Sequence, residues 1–176
     1  MKKNLFLWQF AGFVLAVALG SVLHFLFDWT DAFSLAPISA VNESTWEHMK
    51  ILFFPMLFFA CAQYWFFRVE SPSFWWIKLI GAVIGVLAIP VLFYTYNGAF
   101  GKTPDWLNIT FFFLSAALGY WIEYLLFRKS FSLPYSSIAF IILLVIALLF
   151  AVFTFYPPYL PLFQDPITSL YGIISK

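Results

Sequence analysis

The chain has 176 residues, of which 64% are hydrophobic, 24% aromatic and 10% charged, where a soluble domain carries about 25% charged residues. With 25 Phe and 8 Trp, a water-soluble body of this size would expose large apolar patches, which excludes a cytosolic enzyme and a disordered tail. A formal charge of +1, from 9 Lys plus Arg and 8 Asp plus Glu, leaves no basic field to condense on a phosphate backbone, so no nucleic acid is expected as a partner.

A membrane-spanning helix needs about 20 apolar residues to cross roughly 30 Å of hydrocarbon. Five stretches meet that need, with limits 5–27, 49–67, 74–96, 106–127 and 135–156. The expected fold class is therefore all-α: a polytopic membrane protein, a five-transmembrane-helix bundle forming one integral membrane domain over residues 1–176. The first stretch follows Lys2 and Lys3 as a signal peptide would. Its apolar core is long and lacks a small-residue cleavage site, so it is expected to stay attached. It ends in His24 and Asp28, four residues apart and so on one helix face.

The segment Val41–Lys50, reading VNESTWEHMK, leads into the second span. That span holds the one cysteine, Cys61, in an apolar run where a thiol behaves as a small hydrophobe, and no intrachain disulfide is possible. Ser71 to Ser73, Gly101 to Pro104 and Ser130 to Pro134 read as turns between antiparallel neighbours. Lys78 and Glu70 are expected to snorkel to the inner surface, and Glu123, a turn from Arg128, to reach water or pair locally. Asn97 and Asn108 fall near the outer ends of their spans and could line a vestibule there.

In the tail, 157–176, Pro157, Pro158, Pro161 and Pro166 break any continuous helix. Asp165 before Pro166 has the form of an N-cap followed by an N1 proline. Ile167, Leu170, Tyr171 and Ile174 then recur at helical spacing, which predicts a short C-terminal helix at the interface. The five stretches share no internal repeat, so an inverted-repeat transporter is not supported.

Orientation follows from the bias of Lys and Arg toward cytoplasmic loops. With the N-terminus inside, that side receives Lys2, Lys3, Arg68, Lys78, Arg128 and Lys129, and the outer side Lys50, Lys102 and Lys176. The expectation is N-terminus cytoplasmic and C-terminus outside. Asp28, Asp31, Glu43, Glu47, Asp105 and Asp165 then gather on the outer face. Trp8, Trp29, Trp46, Trp75, Trp76, Trp106 and Trp121 fall near span ends, as an interfacial belt requires.

The chain's only two histidines, His24 and His48, both lie at that outer face. On a continuous helix Glu43 and Glu47 would project from one side, with His48 about 100° round. Zinc takes imidazole nitrogen and carboxylate oxygen in tetrahedral geometry, and a catalytic site leaves one position to water. His24, Glu43, His48, Asp28 and Asp165 are the candidate ligands, zinc the expected divalent ion, and Glu47 a further ligand or the base that activates water. Structural alternatives exist for each. Ser44 to Glu47 fits the capping box S-x-x-E, Asp165 fits a plain N-cap, and His24 within an apolar span could be held by a hydrogen bond alone.

The segment VNESTWEHMK, after a span ending in LHFLFDW and before a proline-rich tail with an Asp-Pro step, resembles an uncharacterised family of small bacterial integral membrane proteins. The resemblance covers most of the chain and implies a compact helical protein of the bacterial plasma membrane, without an activity to carry over. Ser21, His24 and Asp28 resemble, more loosely, the first part of the site of membrane-embedded metal hydrolases such as alkaline ceramidases. Those enzymes have more spans and a paired-histidine motif near the C-terminus, and no histidine follows His48 here. Three functions are compatible with this reading: an outward-facing metal site acting as a lipid-directed hydrolase, passage of cations or small solutes, and a non-catalytic scaffold or assembly partner. A membrane lipid is the expected molecular partner of the first.

Overall fold

The computed structural model describes residues 4–67, 72–129 and 131–173. Five long helices account for most of them: α1 (Leu5–Thr30), α2 (Thr45–Phe67), α3 (Phe74–Phe100), α4 (Asp105–Arg128) and α5 (Ser136–Phe155). Their limits follow the apolar runs of the sequence to within a few residues. By length and composition α1, α3, α4 and α5 can cross a membrane, which makes this an integral membrane protein in character. Among the described residues α2 falls outside that group, and its first turns carry Glu47, His48 and Lys50.

Helices α1 to α4 pack as a ring in chain order, α1 against α2 and α4, α3 against α2 and α4, while α5 lies outside against α3 and α2. Apolar side chains gain little from leaving lipid for one another, so close backbone approach and buried polar contacts must supply the cohesion. Small residues do this between α3 and α4. A Cβ on Gly119 would lie 2.9 Å from the Gly81 carbonyl oxygen and 3.4 Å from the Gly85 Cα, and a Cβ on Gly85 3.0 Å from the Ser115 carbonyl oxygen. On the other side, Pro55 inside α2 leaves the carbonyl of Ile51 without its helical donor. Gly20 of α1 sits against that carbonyl, where a Cβ would come to 2.9 Å of its oxygen.

The same contacts show alternating helix direction, since residues 12 and 20 of α1 face Phe59 and Ile51 of α2 and Tyr120 and Phe112 of α4. One end of the bundle therefore gathers the C-termini of α1, α3 and α5 with the N-termini of α2 and α4. That end holds His24, Glu43 and His48.

Several sequence expectations change. Lys78 does not snorkel: it is 2% exposed and its Nζ lies 2.5 Å from Oε2 of Glu123, also 2% exposed. Gly81 makes this possible, because any Cβ there would collide with the Glu123 side chain. The rings of Phe59, Phe74, Phe127 and Tyr120 surround the ammonium at 5.6 to 5.9 Å, a favourable arrangement for a cation in an apolar setting. Arg128 lies over Tyr124 instead.

Asn97 closes the α3–α4 turn, its Oδ1 accepting from the Thr103 amide at 2.8 Å and hydroxyl at 2.7 Å. Trp46 packs inward on Phe150 and Phe163, with centroids 4.5 and 4.6 Å away, and Trp75 is buried against Phe140 at 4.4 Å.

The tail forms no α-helix among its described residues. A 3₁₀ turn at Pro161–Phe163 leads into an antiparallel bridge between Gln164 and Tyr171. Asp165 does receive the Ile167 and Thr168 amides on Oδ1, at 2.7 and 3.4 Å, as an N-cap would. Ser169 then adopts a left-handed conformation (φ 61°) and the Asp165 amide donates to the Leu170 carbonyl at 3.0 Å, so the chain folds back instead of continuing as a helix. Ile174, like Lys2, Lys3, Arg68, Glu70, Ser71, Ser130 and Lys176, lies outside the described residues.

Candidate metal centre

Three elements each deliver one group. The last two turns of α1 present His24, the connection between α1 and α2 carries Glu43, and the first turn of α2 presents His48. Oε2 of Glu43 lies 3.7 Å from Nε2 of His24 and 3.6 Å from Nε2 of His48. The imidazoles are nearly perpendicular, with centroids 5.2 Å apart. One ligand atom from each residue falls within 4.8 Å of the others, so His24, Glu43 and His48 could hold a metal ion. Zinc bonds of about 2.0–2.1 Å at tetrahedral angles place neighbouring donors about 3.3 Å apart. The two separations to Glu43 exceed that by a few tenths of an ångström, and the three donor atoms all lie within 4.8 Å of one another, so an ion would draw the side chains inward.

Hydrogen bonding sets the chemistry of the His48 ring. Its Nδ1 lies 2.9 Å from the carbonyl oxygen of Ser44. A carbonyl only accepts, so Nδ1 carries the proton and the Nε2 lone pair is left for the centre. The His24 ring stacks on Phe25 at 4.8 Å and 12°. With side-chain exposures of 25%, 41% and 23% for His24, Glu43 and His48, the cluster is neither sealed nor fully solvated.

The loop bearing Glu43 is held on both sides of that residue. The Asn42 side chain accepts from the Ser44 amide at 2.8 Å and donates to the Gly172 carbonyl at 2.8 Å, which ties the loop to the tail. The Val41 amide donates to Oε2 of Glu47 at 3.1 Å, and the Ala40 amide to the carbonyl of Leu23, beside His24, at 3.1 Å.

Glu47 is not part of the cluster. The helix begins only at Thr45, so Glu43 precedes it and the expected helical alignment of Glu43 with Glu47 does not arise. The Glu47 side chain turns into the bundle, 2% exposed, with Oε2 at 2.5 Å from Nζ of the fully buried Lys50. Nor does Glu47 complete a capping box: the Ser44 hydroxyl accepts from its amide at 3.4 Å, but the Ser44 amide goes to Asn42. Asp28 is exposed one turn beyond His24 and is not one of the three converging groups. Asp165 is buried in the tail turn described above.

Two participants escaped the sequence reading, Lys50 and Thr154. Lys50 Nζ donates to the Ala36 carbonyl at 2.9 Å and to the Thr154 hydroxyl at 2.7 Å. A lysine three residues after a glutamate at the head of an apolar helix is a signal for such a pair, since a buried ammonium needs a partner. Thr154 comes from α5 and carries no mark in the sequence.

The chain belongs to the family described as "Family of unknown function (DUF6512)", whose family model matches residues 1–173. No curated protein and no solved structure matches it, so the likeness to ceramidases gains no support from relatives.

Proposed function

We propose that this member of the family is a membrane metalloprotein whose centre, His24, Glu43 and His48, holds zinc and acts on the polar end of a membrane lipid by hydrolysis. The observation that carries the reading is the convergence of both histidines of the chain with one carboxylate on a single point. Two imidazoles and one carboxylate are three protein ligands, the number that catalytic zinc sites use while keeping a fourth position for water. A zinc ion held by these residues would lower the pKa of its water toward neutrality and so supply the nucleophile. With Glu47 committed to Lys50, the activation rests on the metal and not on a separate glutamate.

A lipid is favoured as substrate by the surface next to the centre. Phe25 and Trp29 stack at 5.8 Å along α1 immediately beyond His24, and are 49% and 67% exposed. A polar centre beside an apolar aromatic ledge suits a molecule with one polar and one apolar end. In this reading all five helices span a bacterial plasma membrane, with the N-terminus cytoplasmic and the centre and C-terminus outside. The distribution of Lys and Arg supports that orientation even after Lys78 is set aside as a buried group.

The test is elemental analysis of the protein purified in detergent, with thermal melts in zinc, manganese and chelator. Stoichiometric zinc and a melting temperature that falls with chelator are expected for the wild type, and neither for His24→Ala or His48→Ala. A metal-free wild type with an unchanged melt under all three additions overturns the centre. Bound zinc without release of products from vesicles of mixed phospholipid and sphingolipid overturns the hydrolytic part alone.

A further inference from the structure

The Glu43 ligand sits on a connection whose helical part is a single 3₁₀ turn at Phe33–Leu35, and a metal centre is only as well formed as the placement of its ligands. Besides the bonds of Asn42 and Ala40, a buried ion pair holds that connection through bonds to its main chain. Lys50, with no exposed surface, directs Nζ to Oε2 of Glu47, to the carbonyl of Ala36 and to the hydroxyl of Thr154. Glu47 in turn accepts the amide of Val41. The pair thus grips the connection at Ala36 and again at Val41, two residues before the ligand. Thr154 anchors it to α5, its hydroxyl passing its own hydrogen to the carbonyl of Phe150 at 2.9 Å.

A buried charge pair is an uneconomical source of stability, because apolar residues of similar volume generally do as well or better. It does impose one geometry, and here that geometry is the position of the segment leading to Glu43. We propose that Glu47, Lys50 and Thr154 form a clamp of positioning residues for the metal centre, an inference that rests on the metal reading given above. The clamp touches no ligand atom and acts through the backbone of residues 36–41.

Zinc affinity by competition with a chromogenic chelator, and the visible spectrum of the cobalt(II)-substituted protein, test this on the full chain in detergent. Thr154→Val keeps the side-chain shape and removes the hydroxyl, and is expected to weaken zinc binding by about tenfold, in the range found for groups that orient metal ligands. Thr154→Ser restores the hydroxyl and is expected to keep both the wild-type affinity and the wild-type cobalt bands. The double variant Glu47→Gln with Lys50→Met leaves no unpaired charge and is expected to weaken binding by about 10–100-fold. Should the double variant fail to fold, the valine and serine variants decide. Wild-type affinity and unshifted cobalt bands in Thr154→Val overturn the clamp while leaving the centre intact. No binding by the wild type removes the centre and the clamp together.

Discussion

His48 Nε2 and Glu43 Oε2 lie 3.6 Å apart although one residue lies in the first turn of a helix and the other precedes it. Their approach depends on the chain leaving the helical path before Thr45. If the pair belongs to a metal centre, each ligand is worth more than any residue that merely orients it. Glu43→Gln and His48→Ala are therefore expected to lose more zinc affinity than the about 10–100-fold typical of outer-shell changes. Asp28→Asn and Asp165→Asn should retain the wild-type value. Chelator competition on the purified variants measures all four, and equal losses in the Asp28 variant would enlarge the ligand set.

The helices were legible because lipid demands long apolar runs, and the ends of such runs are marked by Trp, Pro and charge. That His24 and His48 lie at one end of the bundle was legible from the order of the apolar runs, but their approach was not, because residues 31–44 separate the two helices and no local pattern fixes the path of that connection. Nor was the division of labour between Glu43 and Glu47. It turns on where the helix starts, where Asn42 takes the Ser44 amide that a capping box would give to Glu47 while the Ser44 hydroxyl accepts from the Glu47 amide, and spacing alone treats both glutamates alike. Thr154 and Gly172 join the site region from the far end of the chain, where no local pattern points to it. The proline-rich tail misled for the opposite reason, since Asp165 caps as expected but a left-handed Ser169 ends the turn.

The tail is held to the site end of the bundle by Trp46, which packs on Phe150, Phe153 and Phe163 at 4.5, 5.7 and 4.6 Å, and by the bond from Asn42 to Gly172. Trp46→Ala should destabilise the protein by about 3 kcal/mol, the lower end of the range for large-to-small aromatic changes, because the ring is only partly buried. Limited proteolysis in detergent should then cleave the segment after α5 faster than in the wild type. A tail that resists protease equally in both would mean that other contacts hold it.

The contact between α3 and α4 predicts a difference between two glycine substitutions of the same chemistry. A methyl on Gly119 would meet the Gly81 carbonyl at 2.9 Å and the Gly85 Cα at 3.4 Å, backbone atoms that cannot swing aside. Gly119→Ala should therefore push the helices apart at a cost of about 1–3 kcal/mol. A Cβ on Gly98, in the last turn of the same α3, meets nothing within 4 Å. Gly98→Ala should be neutral or stabilise by up to about 1 kcal/mol through helix propensity. Unfolding of both variants in a denaturing detergent gradient gives the comparison, and equal effects would show that close backbone approach is not what joins these helices.

The pair formed by Lys78 and Glu123 makes the sharpest case, because its cost and its benefit are separable. Each side chain is 2% exposed and each has the other as its charged partner. Lys78→Met removes one charge and leaves the other buried without its charged partner; breaking a buried pair in this way typically costs about 3–5 kcal/mol. Adding Glu123→Met removes the stranded charge and should recover most of that loss, since replacing both members of a buried pair by apolar residues of similar volume is often neutral. Equilibrium unfolding of the single and double variants reads this directly. If the pair serves only to fix α3 against α4, zinc affinity at the opposite end of the bundle should be the same in wild type and double variant. A parallel loss of zinc affinity would instead reveal that the two charged sites are energetically linked through the helices between them.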